Sequence, residues 1–211
     1  KNLNALPPAP IEGLFETFEG KQLPIARISD DMTPFKAYKK PFQPIAGRPM
    51  VSVVIVDFGL SDTISKSVLD NMSTDISLAL SPYSDEPTKW AAAARAYGHE
   101  FWMMLPMQTE SFGQNDSGPS TLLLNASEEE NRSRLFSILG AATGYAGVIT
   151  QNGHKFTSDS APSTPVIKQI FGRGLAVAES NPDISAWGLP LAMQDGYPYA
   201  QNHFWLDKDL R

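Results

Sequence analysis

Cysteine is absent from the 211 residues, which excludes disulfides, thiolate metal ligands and a cysteine nucleophile. A chain without thiols fits a bacterial envelope protein, although some cytosolic proteins also lack cysteine. Histidine is scarce as well: the chain has three, His99, His154 and His203. No apolar run reaches the roughly 18 residues of a membrane-spanning helix. The n-region and h-region of a signal peptide are missing from the start, and the chain opens on Lys1 rather than Met, as a processed or trimmed product would. Basic residues are outnumbered, 17 Lys and Arg against 23 Asp and Glu, for a formal charge of −6. With no basic stripe, nucleic acid is not an expected partner. No Gly-x-Ser-x-Gly elbow, phosphate-binding loop or dinucleotide fingerprint is present.

What the chain does have is a change of texture near residue 49. Residues 1–48, with "NALPPAPIEGLFE" and "KKPFQPIAGRP", are rich in proline and polar residues. They read as an extended arm lying on a domain, part of it a linker from an upstream membrane anchor outside this chain. From 49 to 211 the pattern alternates strand and helix. Strands are expected at 51–57, 75–81, 100–106, 145–150, 174–180 and 199–206. Between them, Ser61 caps a helix at 61–72, and Pro87 opens one that Gly98 ends. Ser127 and Glu130 form a capping box, and Ser163 opens the next helix, which ends at Gly172. Such alternation implies an α/β domain with a parallel sheet, closed as a barrel or doubly wound.

In either architecture the chemistry sits at the C-terminal strand ends. Those ends carry Asp57, Ser81, Met104 to Gln108, Thr150 to His154, and Glu179 with Ser180. Asp57 is the first charge after the run Val51–Val56. His154, beside Lys155, is the acid/base candidate left on that rim, whereas His99 belongs to the far end and reads as structural. Trp187 and Phe112, on expected loops, are sugar-stacking candidates; Trp102 and Trp205, within expected strands, read as core. "WMMLPM" reads as apolar filling near the rim.

The string "VVIVDFGL" resembles the Asp-Asp motif of polysaccharide deacetylases. With "LALSPYS", "AAARAYGHEFWMMLPMQ", "NDSGPSTLL", "GYAGVITQNGHKFT" and "GRGLAVAES" following in order, the chain resembles the divergent polysaccharide deacetylase family of bacterial envelopes. The resemblance implies a distorted (β/α) barrel of the glycoside hydrolase and deacetylase type. Because related proteins continue past "FWLDKD", that barrel is expected to be open or shortened at its C-terminal end. It also implies a one-metal hydrolase site, with the first Asp as general base and the second Asp plus two histidines as ligands. On this chain Asp57 takes the metal-binding position, but Val56 takes the base position. Met104 and Gln108 stand where ligands are expected, Gln151 where a histidine is, and Glu179 where an aspartate is. A thioether and neutral amides are poor partners for zinc.

The expectation is therefore a carbohydrate-related envelope protein without a cofactor, zinc entering only if another ligand set is used. It would bind a glycan or peptidoglycan fragment, or an envelope protein, in the periplasm or cell envelope of a Gram-negative bacterium. The candidate ligand-binding residues are Ser81, Gln108, Gln151, Asn152, Lys155, Glu179 and Trp187, with Asp57 and His154 for any catalysis. The competing expectation is an active carbohydrate N- or O-deacetylase with a reorganised site of Asp57, His154 and Glu179 or Asp159.

Overall fold

The computed structural model describes residues 4–111, 113, 117–182 and 186–207. Six strands form one sheet: β3 (Val54–Phe58), β4 (Ser77–Leu80), β5 (Phe101–Met107), β6 (Gly147–Asn152), β7 (Ala176–Glu179) and β8 (Tyr199–Gln201). All neighbours are parallel, and the spatial order is the sequence order. A doubly wound sheet reverses direction partway; this one winds one way, as a barrel does. Among the described residues β3 and β8 do not pair, so the wall stays open between them. The crossovers contain α2 (Asp62–Asn71), α3 (Pro87–Tyr97), α4 (Glu128–Leu139), α5 (His154–Thr157) with α6 (Ser160–Gly172), and α7 (Leu189–Asp195). No described helix is long and apolar enough to cross a membrane.

Local chemistry places the helix ends. Ser61 Oγ accepts the Ile64 N–H, and the Ser127–Glu130 capping box has both bonds. Helix α6 starts three residues before Ser163, because Asp159 caps it by accepting the Ala161 N–H. Pro162 falls in the first turn, where its missing N–H costs little. Gly98 closes α3 at φ +99, and a Cβ there would come 2.5 Å from the Asn4 carbonyl oxygen. The last strand stops at Gln201, so Trp205 lies beyond it, half-buried, rather than inside a strand.

Strand parity divides the apolar residues between two faces. Leu78, Leu80, Met103, Leu105, Met107, Val148 and Val177 face the helices in the main core. Ala79, Met104 and Ile149 face the concave side, with Val54, Val56, Trp102 and Ala178 around them. Each large aliphatic side chain buried in the main core contributes about 1.5–3 kcal/mol.

The segment expected to be an extended arm is folded. It contains the antiparallel hairpin β1 (Phe15–Phe18) and β2 (Lys21–Pro24), a 3-10 turn at Ile28–Asp30 and α1 (Pro34–Tyr38). It packs at the end of the barrel opposite the candidate rim, where Leu14 and Tyr38 bury themselves with Ala146. Scattered aromatics in a proline-rich stretch are what make this burial worthwhile. Beside them the Glu100 carboxylate takes the Lys40 N–H, the Ser77 hydroxyl and Trp102 Nε1. His99 is fully buried there, its Nδ1 2.8 Å from the Ile76 carbonyl oxygen.

Arg95, 3% exposed, ties the arm down. Its guanidinium donates to the carbonyls of Pro7 (2.6 Å), Tyr38 (3.2 Å) and Gly144 (3.0 Å) and lies over the Tyr38 ring. Burial lowers its pKa from the ordinary value, but a guanidinium stays charged at neutral pH. Arg95→Met should cost about 3 kcal/mol, since three carbonyls lose a charged donor. Urea denaturation measures the loss, and limited proteolysis should cut the arm before the barrel.

Candidate functional site

The open end of the barrel gathers the C-terminal strand ends. On β3 the register pairs Ile55 with Leu78 and Phe58 with Leu80, three residues against two. This bulge absorbs one extra residue at Val56 and Asp57. Asp57 takes φ +59, a left-handed backbone uncommon outside glycine. Such a conformation costs on the order of 1–3 kcal/mol and persists only where its surroundings enforce it. Here the surroundings are visible. The Asp57 N–H donates to Met104 Sδ at 3.2 Å, the Asp57 carbonyl accepts the Leu60 N–H, and Gly59 N–H is held by Ser65 Oγ. Phe58 next door is buried edge-on against Trp90. The Asp57 residue is left exposed at the rim.

Met104 reaches Asp57 across β4, over Ala79, whose small side chain leaves the room. Its neighbours in sequence, Met103 and Met107, face the helices instead and are fully buried. Of the three methionines of "WMMLPM", one therefore faces the concave side. Gln151 pairs in register with Pro106 and is half-buried, with no side-chain hydrogen bond among the described residues. The Asn152 side chain lies outside the described residues, as do Phe112 and its neighbours 114–116.

Other sequence candidates hold the rim together. Gln108 Oε1 accepts the Leu124 N–H at 2.7 Å, and its carbonyl accepts the Phe156 N–H. Ser81 Oγ accepts the Tyr83 N–H. Asp159 is the α6 cap. His154 is exposed at the first position of α5, and Lys155 stands 3.8 Å from Glu110. Asn131 grips Leu123, accepting its N–H and donating to its carbonyl.

Glu179 is the largest departure. It is one residue off the concave parity and lies buried on the helix side of the sheet, away from Met104 and Asp57. Its Oε1 accepts the Gly188 N–H (2.7 Å) and the Tyr199 hydroxyl (2.9 Å). Trp187, next to Gly188, packs against the main core. Nearby, Thr150 Oγ1 takes the Ser180 N–H, and Asn202 Nδ2 donates to the Ser180 carbonyl. Glu179 and Trp187 thus anchor the β7–α7 connection.

The donor set does not fit a hydrolytic metal. Such a site takes three imidazole, thiolate or carboxylate ligands, and no group of three His, Asp or Glu comes together among the described residues. The thioether that resembles a ligand position is already an acceptor for Asp57, and the Gln108 oxygen is taken by Leu124.

Burial first, and then Glu179, push the Tyr199 hydroxyl well above its ordinary pKa of 10.0. Its bond to Glu179 is therefore complete below about pH 10 and is lost as pH rises through the raised value. Tyr199→Phe should cost about 1.5 kcal/mol at neutral pH. In urea denaturation series, that difference from the parent protein should vanish in strong alkali.

The family model for divergent polysaccharide deacetylases matches residues 53–211. No curated protein matches the chain. Among solved structures, an uncharacterized protein from Agrobacterium tumefaciens C58 superposes with a TM-score of 0.83 at 25% identity, covering 90% of this chain and 76% of its own. The carboxyl transferase domain of Rhizobium etli pyruvate carboxylase scores 0.46 at 12% identity, over 70% of this chain and 26% of its own. With the strand order, the one-way winding and the match from residue 53 onward in agreement, the chain belongs to the divergent polysaccharide deacetylase family.

Proposed function

We propose that this carbohydrate-related, deacetylase-like protein binds a glycan at the strand-end rim and does not hydrolyse it. The observation that carries the reading is the identity of the groups around Asp57. A thioether, carboxamides and the Val56 side chain stand where deacetylation needs metal ligands and a base. Val56 cannot take a proton. Met104 and Gln108 are engaged in holding the rim. A single carboxylate suits binding better than metal-assisted hydrolysis. Asp57 accepts hydrogen bonds from sugar hydroxyls or an acetamido N–H, and Gln151 offers both a donor and an acceptor. His154 and Lys155 extend the polar rim. Ser81, Gln108, Glu179 and Trp187 serve the reading by fixing the loops that carry it.

The ligand class is an N-acetylated glycan, a peptidoglycan fragment being the one that the family's envelope setting offers. The periplasm or cell envelope is the proposed location, with attachment through an upstream anchor. An envelope protein docked on the same rim is the occupant that the test separates from a glycan.

Calorimetric titration with tetra-N-acetylchitotetraose, with and without zinc, tests this directly. Binding should need no metal and weaken about tenfold in Asp57→Ala, equivalent to about 1.4 kcal/mol. Acetate release should stay at background. Zinc-dependent acetate release that Asp57→Ala abolishes would establish an active deacetylase with a reorganised site. Absence of glycan binding would leave the rim to an envelope protein.

A further inference from the structure

The two residues inside the β3 bulge, Val56 and Asp57, have no paired position on β4. A bulge needs other contacts to hold it, and one that reaches the bulged backbone from another strand is sulfur: the Asp57 N–H donates to Met104 Sδ at 3.2 Å. Met104 comes from β5, one strand beyond β4, and is 3% exposed. It is wedged among Ala79 and Ile149, with Val54 and Val56 beside it. A thioether is a weak acceptor in water, but this one is buried, and a lower local dielectric strengthens its hydrogen bond. The bulge in turn sets which way Asp57 faces. In unbroken alternation Val56 and Asp57 would take opposite faces; the positive φ instead leaves Asp57 exposed at the rim.

We infer that Met104 is the positioning residue of the strand-end centre: its thioether holds the β3 bulge and so presents the Asp57 carboxylate to ligand. A side chain at a position that resembles a metal ligand here orders the same aspartate by a hydrogen bond from the main chain. The role in ligand binding rests on the glycan reading above; the hold on the bulge does not.

The test replaces sulfur with carbon at nearly constant volume, Met104→Leu, which a core tolerates. Met103→Leu is the control, the same chemistry one residue earlier on the helix face. Amide hydrogen exchange by NMR should show the Asp57 N–H exchanging at least tenfold faster in Met104→Leu. In Met103→Leu its protection should match the parent protein. Affinity for tetra-N-acetylchitotetraose should fall about tenfold in Met104→Leu, and Met104→Leu added to Asp57→Asn should cause no further loss. A general packing defect would instead weaken binding additively.

Unchanged Asp57 exchange in Met104→Leu overturns the inference, whatever happens to the glycan. Faster exchange with undiminished affinity overturns the positioning role. If the parent protein binds no glycan, the glycan reading fails and the positioning role with it, while the exchange data still decide whether sulfur holds the bulge. Should Met104→Leu fail to fold, biosynthetic replacement of methionine by norleucine, which carries carbon in place of sulfur, supplies the same comparison.

Discussion

Strand parity in one continuous parallel ladder is the constraint on which the rest of this molecule depends. Each strand pairs with the strand before it, so a single register decides the face of every side chain from β4 to β8. A slip of one residue on β5 would turn Met103, Leu105 and Met107 out of the main core and exchange them for Trp102 and Met104. The full burial of the first three, against the half-buried Trp102, shows how strongly the register is held. The helix side takes Leu78, Leu80, Leu105 and both Met103 and Met107, whereas on the concave side Ala79 and Ala178 stand beside Met104, Ile149 and Trp102. Gly147 shows how tight that side is: a Cβ there would meet the Trp102 ring at 2.6 Å and the Ala176 carbonyl oxygen at 2.4 Å.

The same parity sorts the chemical candidates. Met104 and Gln151 belong to the concave side and Asp57 to its rim; Glu179 belongs to the core. A buried carboxylate at a barrel strand end has the appearance of a catalytic acid, but this one has two donors on one oxygen, both from the segment that follows β7. Its work is to hold Gly188 and Tyr199 against the sheet. Glu179 and Asp57 lie on opposite faces of the sheet, so these two carboxylates do not meet in one centre. Near Asp57, the Gln151 carboxamide offers a donor and an acceptor, which supports the proposed reading of the rim as a recognition surface.

Much of the fold was legible because its signals are local. Ser61, the Ser127–Glu130 box and Gly98 each mark a helix end through contacts within a few residues, and the structure has those contacts. The β-branched run before Asp57 and the alternation after it carried the α/β class. The N-terminal hairpin was not legible. Its first strand, "FETF", is mostly exposed and shows no alternation, and the burial that orders it comes from Tyr38 and Arg95, distant in sequence. Helices α5 and α7 are too short for a periodic signal, at 4 and 7 residues.

The site was legible in its residue types and not in its geometry. Two adjacent methionines are equivalent on paper, and only the pairing of β5 with β6 tells which one turns inward. Glu179 shares the parity of Val177, but one valine between Ala176 and Ala178 does not say on paper which face is the helix side. Above all, a bulge has no sequence signature here. Val56 and Asp57 continue a strand pattern, and the backbone departs from it because β3 has one residue too many for β4. That surplus is what turns Asp57 out to the rim, and it is stabilised by a side chain two strands away. An aspartate that kept its place in the motif has thus acquired its orientation from tertiary packing.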